Sequence, residues 1–214
     1  MISTQNYAAL PDATSLQQLS KALAVLDAIN WQEWDGRYYS YDASWSEDGA
    51  LLAMRNGSGD DMMVLFRAEG CCINGHLHEY DQPDKAQVTR GLPAAFDEFI
   101  FGEPVKSLGT TFCLWYTPAR GWQTGVVENP DDGSAELLPI FDGNPATYAE
   151  WATEYYTEDT ERAPITTQAV APVYEGKTLT RSMVLAINEE LDDWAQLETD
   201  LQEIGYPYDF ATAS

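Results

Sequence analysis

Basic residues are scarce in this chain: 11 Lys and Arg stand against 35 Asp and Glu, for a formal net charge of −24. A surface of that sign repels phosphate backbones and anionic headgroups, which excludes nucleic acids and acidic membrane surfaces as expected partners. The deficit deepens along the chain. Residues 1–107 carry a net −9 and residues 108–214 a net −15, and no basic residue follows Arg181. Long apolar runs are missing as well; none approaches the roughly 18 residues of a membrane-spanning helix. Residues 1–10 have neither the basic nor the apolar region of a secretory signal. Cysteine is limited to Cys71, Cys72 and Cys113. An odd count with two adjacent members builds no disulfide framework and points to a reducing compartment, so the expected location is the cytoplasm. Neighbouring residues of a strand face opposite ways, so Cys71 and Cys72 read as buried structural thiols rather than a redox pair.

What is abundant is core material. Hydrophobic residues make up 44% and aromatic residues 12%, with 7 Trp and 12 Tyr, which suits a folded chain rather than a disordered one. Leu16, Leu19, Leu23, Leu26 and Ile29 recur at three- and four-residue steps and predict an amphipathic helix over 15–29, capped by Asp12, Thr14 or Ser15. From Arg37 the texture turns aromatic and branched. Short runs around Tyr39, Leu51, Met63 and Cys72 are cut by turn residues such as Asn56-Gly57-Ser58-Gly59-Asp60, and they predict successive antiparallel strands. Residues 81–91 read as a loop. A short helix follows Pro93, carrying Phe96, Phe99 and Ile100 to Gly102. Residues 110–116 and 122–127 read as a strand pair, and 137–141 as a further strand. Asn144-Pro145 predicts the start of a helix with Tyr148, Trp151, Ala152 and Tyr155 on one face. Residues 157–175 read as an irregular, Pro-bearing connection. Leu191, Trp194, Leu197, Leu201 and Ile204 mark a last helix, its start favoured by Glu189, Glu190, Asp192 and Asp193 and its end set by Gly205 and Pro207. Runs of strands rather than strict alternation give a single α+β domain over 1–214: an antiparallel meander covered by N-terminal, central and C-terminal helices.

No set of residues announces a reaction. His76-Leu77-His78-Glu79 places two imidazoles on one face of a strand, with Glu79 beside them, and is the candidate metal site. The metallohydrolase pattern H-x-H-x-D-H is not met, because Asp81 comes one residue late and Gln82 follows it. No third histidine exists, so carboxylates would have to complete the shell; a solvent-facing pair at a strand end is the plainer reading. Met54 to Asp61 has glycines but neither the phosphate-loop Lys nor a following helix, so Asn56-Gly57 reads as a hairpin turn. Arg55 with Asp60 and Asp61 reads as a local charge group. The acid-rich turn from Asn129 to Glu136 fails as a calcium loop, its Gly133 standing one position early. No nucleophile elbow is present, no catalytic residue is assigned, and no cofactor is expected.

Met54-Arg55-Asn56-Gly57-Ser58-Gly59-Asp60 and Asp142-Gly143-Asn144-Pro145-Ala146-Thr147-Tyr148-Ala149-Glu150-Trp151 resemble motifs of a family of acidic bacterial proteins of about 200 residues, over most of the chain. That resemblance brings no established activity with it. Leu92-Pro93, Phe96 and Phe99 are similar, over about ten residues, to a helix of the SUKH immunity proteins. The expectation is an acidic cytoplasmic module that binds a basic protein, as an immunity-type inhibitor binds a toxin, through Glu189, Glu190, Asp192 and Asp193 and the Arg55, Asp60 and Asp61 group. Two alternatives stand beside it: a carboxylate- or metal-dependent hydrolase using His76 and His78, and an acidic surface that serves salt tolerance alone.

Overall fold

The structure, a computed structural model, describes residues 1–127, 129–157 and 160–211. Its chain forms two compact units. The first comprises Met1–Gln17 and Ser44–Asp142, the second Gln18–Ala43 and Gly143–Ser214. Among the described residues no helix is long and apolar enough to cross a membrane.

The six-stranded sheet runs in sequence order: β1 (Tyr39–Ser46), β2 (Gly49–Arg55), β3 (Asp61–Arg67), β4 (Gly70–His76), β5 (Phe112–Thr117) and β6 (Gly121–Thr124). Pairing from β2 to β6 is antiparallel throughout, so the expected meander is the observed one. Side chains alternate across a pleated strand, and the register puts Leu51, Leu65, Cys72 and Trp115 on one face. That face belongs to a buried cluster with Met63 and Cys113. Its cover is a short 3₁₀ turn (Ala94–Phe96) running into α3 (Asp97–Phe101) and α4 (Val105–Leu108), which add Phe96, Phe99, Ile100 and Val105. Leu52, Met54, Val64, Cys71 and Ile73, on the alternate positions, are buried too. The central strands therefore read as continuous apolar runs because neither of their faces meets water. All three thiols are buried and free; burial pushes the Cys71 and Cys72 thiols up, which keeps them unreactive at neutral pH.

In the second unit, most of α1 (Ala13–Asn30) buries Leu19, Leu23, Leu26 and Ile29. At its start Asp12 is the cap, its carboxylate accepting from the Ser15 amide at 2.8 Å. α6 (Pro145–Thr157) begins where Asn144-Pro145 predicts. Its buried face is Tyr148, Ala149, Ala152 and Tyr156. Tyr155, expected inside, is 46% exposed: the true inward stripe is turned by one residue, and two adjacent tyrosines do not distinguish the alternatives.

Three further expectations are corrected. Residues 137–141 are not a strand but part of two helical turns, α5 (Ser134–Leu137) and a 3₁₀ segment (Leu138–Phe141). Pro139, near the start of the latter, lacks the N–H a ladder needs, and suits a first helical turn. The connection 157–175 contains α7 (Thr167–Tyr174), capped by Thr166 and carrying Pro172; Glu158 and Asp159 lie outside the described residues. The last helix, α9 (Trp194–Ile204), starts later than expected, so Glu189, Glu190 and Asp192 precede it. Only Asp193 acts on its N-terminus, accepting from the Gln196 amide at 2.9 Å. Gly205, left-handed at φ 67°, ends it as expected. Four of the short elements had no signal in the sequence: α2 (Lys85–Val88) inside the expected loop 81–91, α8 (Arg181–Leu185), and the strands β7 (Leu179–Thr180) and β8 (Tyr208–Asp209), which pair in parallel.

Candidate functional site: an acid-lined cavity

Around the start of β5 the first unit holds a cavity of about 270 Å³ that is open to the surface. Val88, Phe112, Cys113, Val127 and Pro83 give it an apolar lining, and four acidic residues, Asp81, Asp84, Asp131 and Asp132, line the same space. No Lys, Arg or His is among its described lining residues. Lys85, the nearest basic residue in sequence to Asp84, holds its ammonium over the Phe101 ring, 5.6 Å from the centroid.

Local hydrogen bonds place three of the four acids. Asp84 caps α2 and accepts from the Ala86 amide at 3.0 Å. Asn129 accepts from the Asp131 amide at 3.0 Å, an Asx turn that folds 129–131 back. Asp132 is the anchor. It is 9% exposed, and one oxygen accepts from the Thr4 hydroxyl at 2.6 Å. The other accepts from the Ser134 hydroxyl at 2.5 Å and the Ser134 amide at 3.0 Å. The Ser134 hydroxyl also accepts from the Thr4 amide at 3.0 Å. Three donors on one buried carboxyl fix its position. Gln82 joins the wall to the sheet: its amide nitrogen meets His76 Nδ1 at 2.8 Å, and its carbonyl accepts from the Thr110 amide at 3.1 Å.

The structure separates the two histidines. His76, half-buried at the end of β4, is engaged by Gln82. His78 is exposed and sets Nδ1 2.8 Å from an Asp60 oxygen that also accepts from the His78 amide at 2.9 Å. Glu79 is exposed, 4.0 Å from the other His78 nitrogen. Among the described residues no group of three or more His, Cys, Asp and Glu is arranged to hold a metal ion. Asp60, whose second oxygen accepts from Asn56 at 2.6 Å, organises the β2–β3 hairpin. Burial pushes its carboxyl up, but hydrogen bonds from the His78 ring, the His78 amide and Asn56 outweigh that and hold it below the usual range. The same hydrogen bond holds the His78 ring above its ordinary value. Any stability from this pair is thus present between the ordinary carboxyl and histidine values, lost as pH rises through the raised histidine value and lost as pH falls through the lowered carboxyl value. An NMR titration of the ring is expected to show the raised midpoint, and Asp60→Asn to bring it back towards an ordinary one; an unchanged midpoint would remove the pairing. Arg55 and Asp61 are register partners across the hairpin. Burial pushes Asp61 up, while Arg55 and His76 pull it down. Glu189, Glu190, Asp192 and Asp193 lie exposed in the second unit.

The cavity acids come from two loops, 81–84 and 129–132, about fifty residues apart. Each loop looks like an ordinary polar connection, and the second resembles in sequence only a calcium loop whose pattern it does not meet. The one local signal is Asp132-Gly133-Ser134, a Ser two residues after an Asp; Thr4 joins it only through the fold. No family model, curated protein or solved structure matches the chain.

Proposed function

We propose that the chain is an acidic protein-binding module whose cavity receives a Lys or Arg side chain of a basic partner. The observation that carries this reading is a concave space with an apolar lining, four carboxyl groups and no cation of its own among the described lining residues. A basic side chain is amphipathic: its methylene stem suits Val88, Phe112 and Val127, and its charged head suits the acids at the same opening. The net charge of −24 would speed the approach of such a partner and make association salt-sensitive. In its finer form the module is a cytoplasmic, immunity-type inhibitor of a basic toxin.

The test uses a tetra-arginine peptide as probe at low salt, with binding followed by calorimetry and by amide shifts in ¹⁵N spectra. The expected result is shifts centred on Val88, Thr124 and Val127. Affinity should fall by about tenfold or more in an Asp81→Asn/Asp84→Asn/Asp131→Asn variant, which leaves the anchored Asp132 in place. Neutralising Glu189 and Glu190 is expected to change affinity by no more than about twofold, as for charges screened at an exposed rim. Equal affinity of the wild type and the triple variant, or shifts spread over the acidic surface at large, would defeat the proposal.

A further inference from the structure

We propose that Asp27 and the tyrosines closed over it form a proton-operated lock within the second unit: the protonated carboxyl keeps the ring of tyrosines shut, and its ionisation opens that ring locally and admits water.

Asp27 stands towards the C-terminal end of α1 with no exposed surface. One oxygen accepts from the Tyr148 hydroxyl at 2.7 Å and the other from the Tyr39 amide at 2.6 Å. The Tyr148 hydroxyl in turn accepts from the Asn30 amide at 3.3 Å, and the Asn30 side-chain carbonyl accepts from Arg162 at 2.7 Å. Every group that faces Asp27 directly is neutral at pH 7. From α6 these are Tyr148 and Tyr156, with Tyr155 further out; from β1 and the residue before it they are Tyr39 and Tyr38. Tyr174 of α7 lies beside Tyr39. Arg162 is reached only through Asn30, and Glu190 acts on Arg162 from beyond. Among the described residues Asp27 thus forms no ion pair, and a buried carboxylate without a cation is disfavoured against its neutral form. Burial pushes the carboxyl up to about 7, against the opposing hydrogen bonds from Tyr148 and Tyr39.

Geometry supplies the moving part. The outer wall is Tyr155, stacked on Trp151 at 17° with centroids 5.2 Å apart and set edge-on against Tyr38. These are side-chain contacts that can part without breaking a helix. Tyr156, behind them, turns its buried hydroxyl towards Asp27 and the Tyr38 backbone without reaching full hydrogen-bond geometry with either, so the shut arrangement leaves one weakly held polar group.

The direction of the effect follows from linkage. The folded value lies above the ordinary 3.8, so the stabilisation is complete below that ordinary value and lost as pH rises through about 7. Between the two, the opening constant grows up to tenfold per pH unit. The lock thus loosens up to about pH 7 and then levels off.

The test is hydrogen exchange at the Tyr39 amide, which donates to Asp27, in the intact protein from pH 5 to 8. Its protection factor, corrected for intrinsic exchange, is expected to fall about a hundredfold between pH 5 and 7 and then level off; in Asp27→Asn, which keeps the shape and removes the charge, it should stay flat. A flat wild-type profile, or the same fall in Asp27→Asn, overturns the proposal. Should that variant not fold, the ¹³C carboxyl resonance of Asp27 in the wild type decides: a midpoint near 7 upholds the lock and a midpoint below 5 removes it. None of these readouts depends on ligand binding, so the lock and the cavity stand or fall separately.

Discussion

Asp200→Ala is expected to lower the stability of the second unit by about 3–5 kcal/mol, because it strands a buried guanidinium. Arg37 and Asp200 meet at 2.6 Å with side-chain exposures of 5% and 8%. Arg37 also donates to the Trp31 and Gln32 carbonyls at 2.9 and 2.7 Å, and Gln196 donates to the second Asp200 oxygen at 3.0 Å. The pair therefore ties the segment after α1 to α9 through a largely buried ion pair and partly buried hydrogen bonds. Desolvation opposes the Coulomb gain in such pairs, so the cost of removing one partner exceeds the worth of the pair. That asymmetry is itself testable. Urea denaturation of Arg37→Met/Asp200→Leu should show a loss well below that of Asp200→Ala alone. A loss under about 1 kcal/mol for the single variant would mean that the guanidinium finds water or another carboxylate, and the buried-pair account would be wrong.

Gly70→Ala should be nearly as severe, at about 3 kcal/mol or more, and should act on the sheet that carries the cavity. Gly70 opens β4 after a tight turn at φ 139°, and a Cβ there would lie 1.9 Å from the Tyr116 carbonyl oxygen on β5. That obstacle is backbone rather than a side chain that can swing away, and Tyr116 is the register partner of Cys71. Relief would require parting the central strands. Gly57 provides the contrast. It too has positive φ, 74°, but a Cβ there meets nothing within 4 Å, so Gly57→Ala should cost only the conformational strain, about 1–2 kcal/mol. Thermal denaturation of the two variants separates clash from strain, and equal losses would show that the β4–β5 contact yields.

The elements legible in the sequence were those whose signals are local. Apolar steps of three and four residues mark α1, Asp12 closes its start, and Asn144-Pro145 opens α6. Asn56 with Asp60 closes the β2–β3 hairpin through bonds between residues two and four apart. Errors fell where local chemistry was neutral between outcomes. Leu138, Ile140 and Phe141 suit a strand or a buried turn equally, and Pro139 decides only once no neighbouring strand is present. Tyr155 and Tyr156 could each face inward; which one does depends on what α6 packs against.

The candidate site was less legible than the fold, and for a physical reason. Asp132 is important because Thr4, 128 residues away, donates to it, and Asp27 because Tyr148, 121 residues away, closes over it. Neither distance leaves a trace in spacing. The sequence by itself determined the charge, the strand meander, the main helices and the lack of a recognisable reaction motif, all of which follow from composition and short-range periodicity. Only the tertiary structure decided which of 35 acids are exposed, which line a cavity and which one is sealed among tyrosines, because burial and the identity of hydrogen-bond partners arise only when distant segments meet.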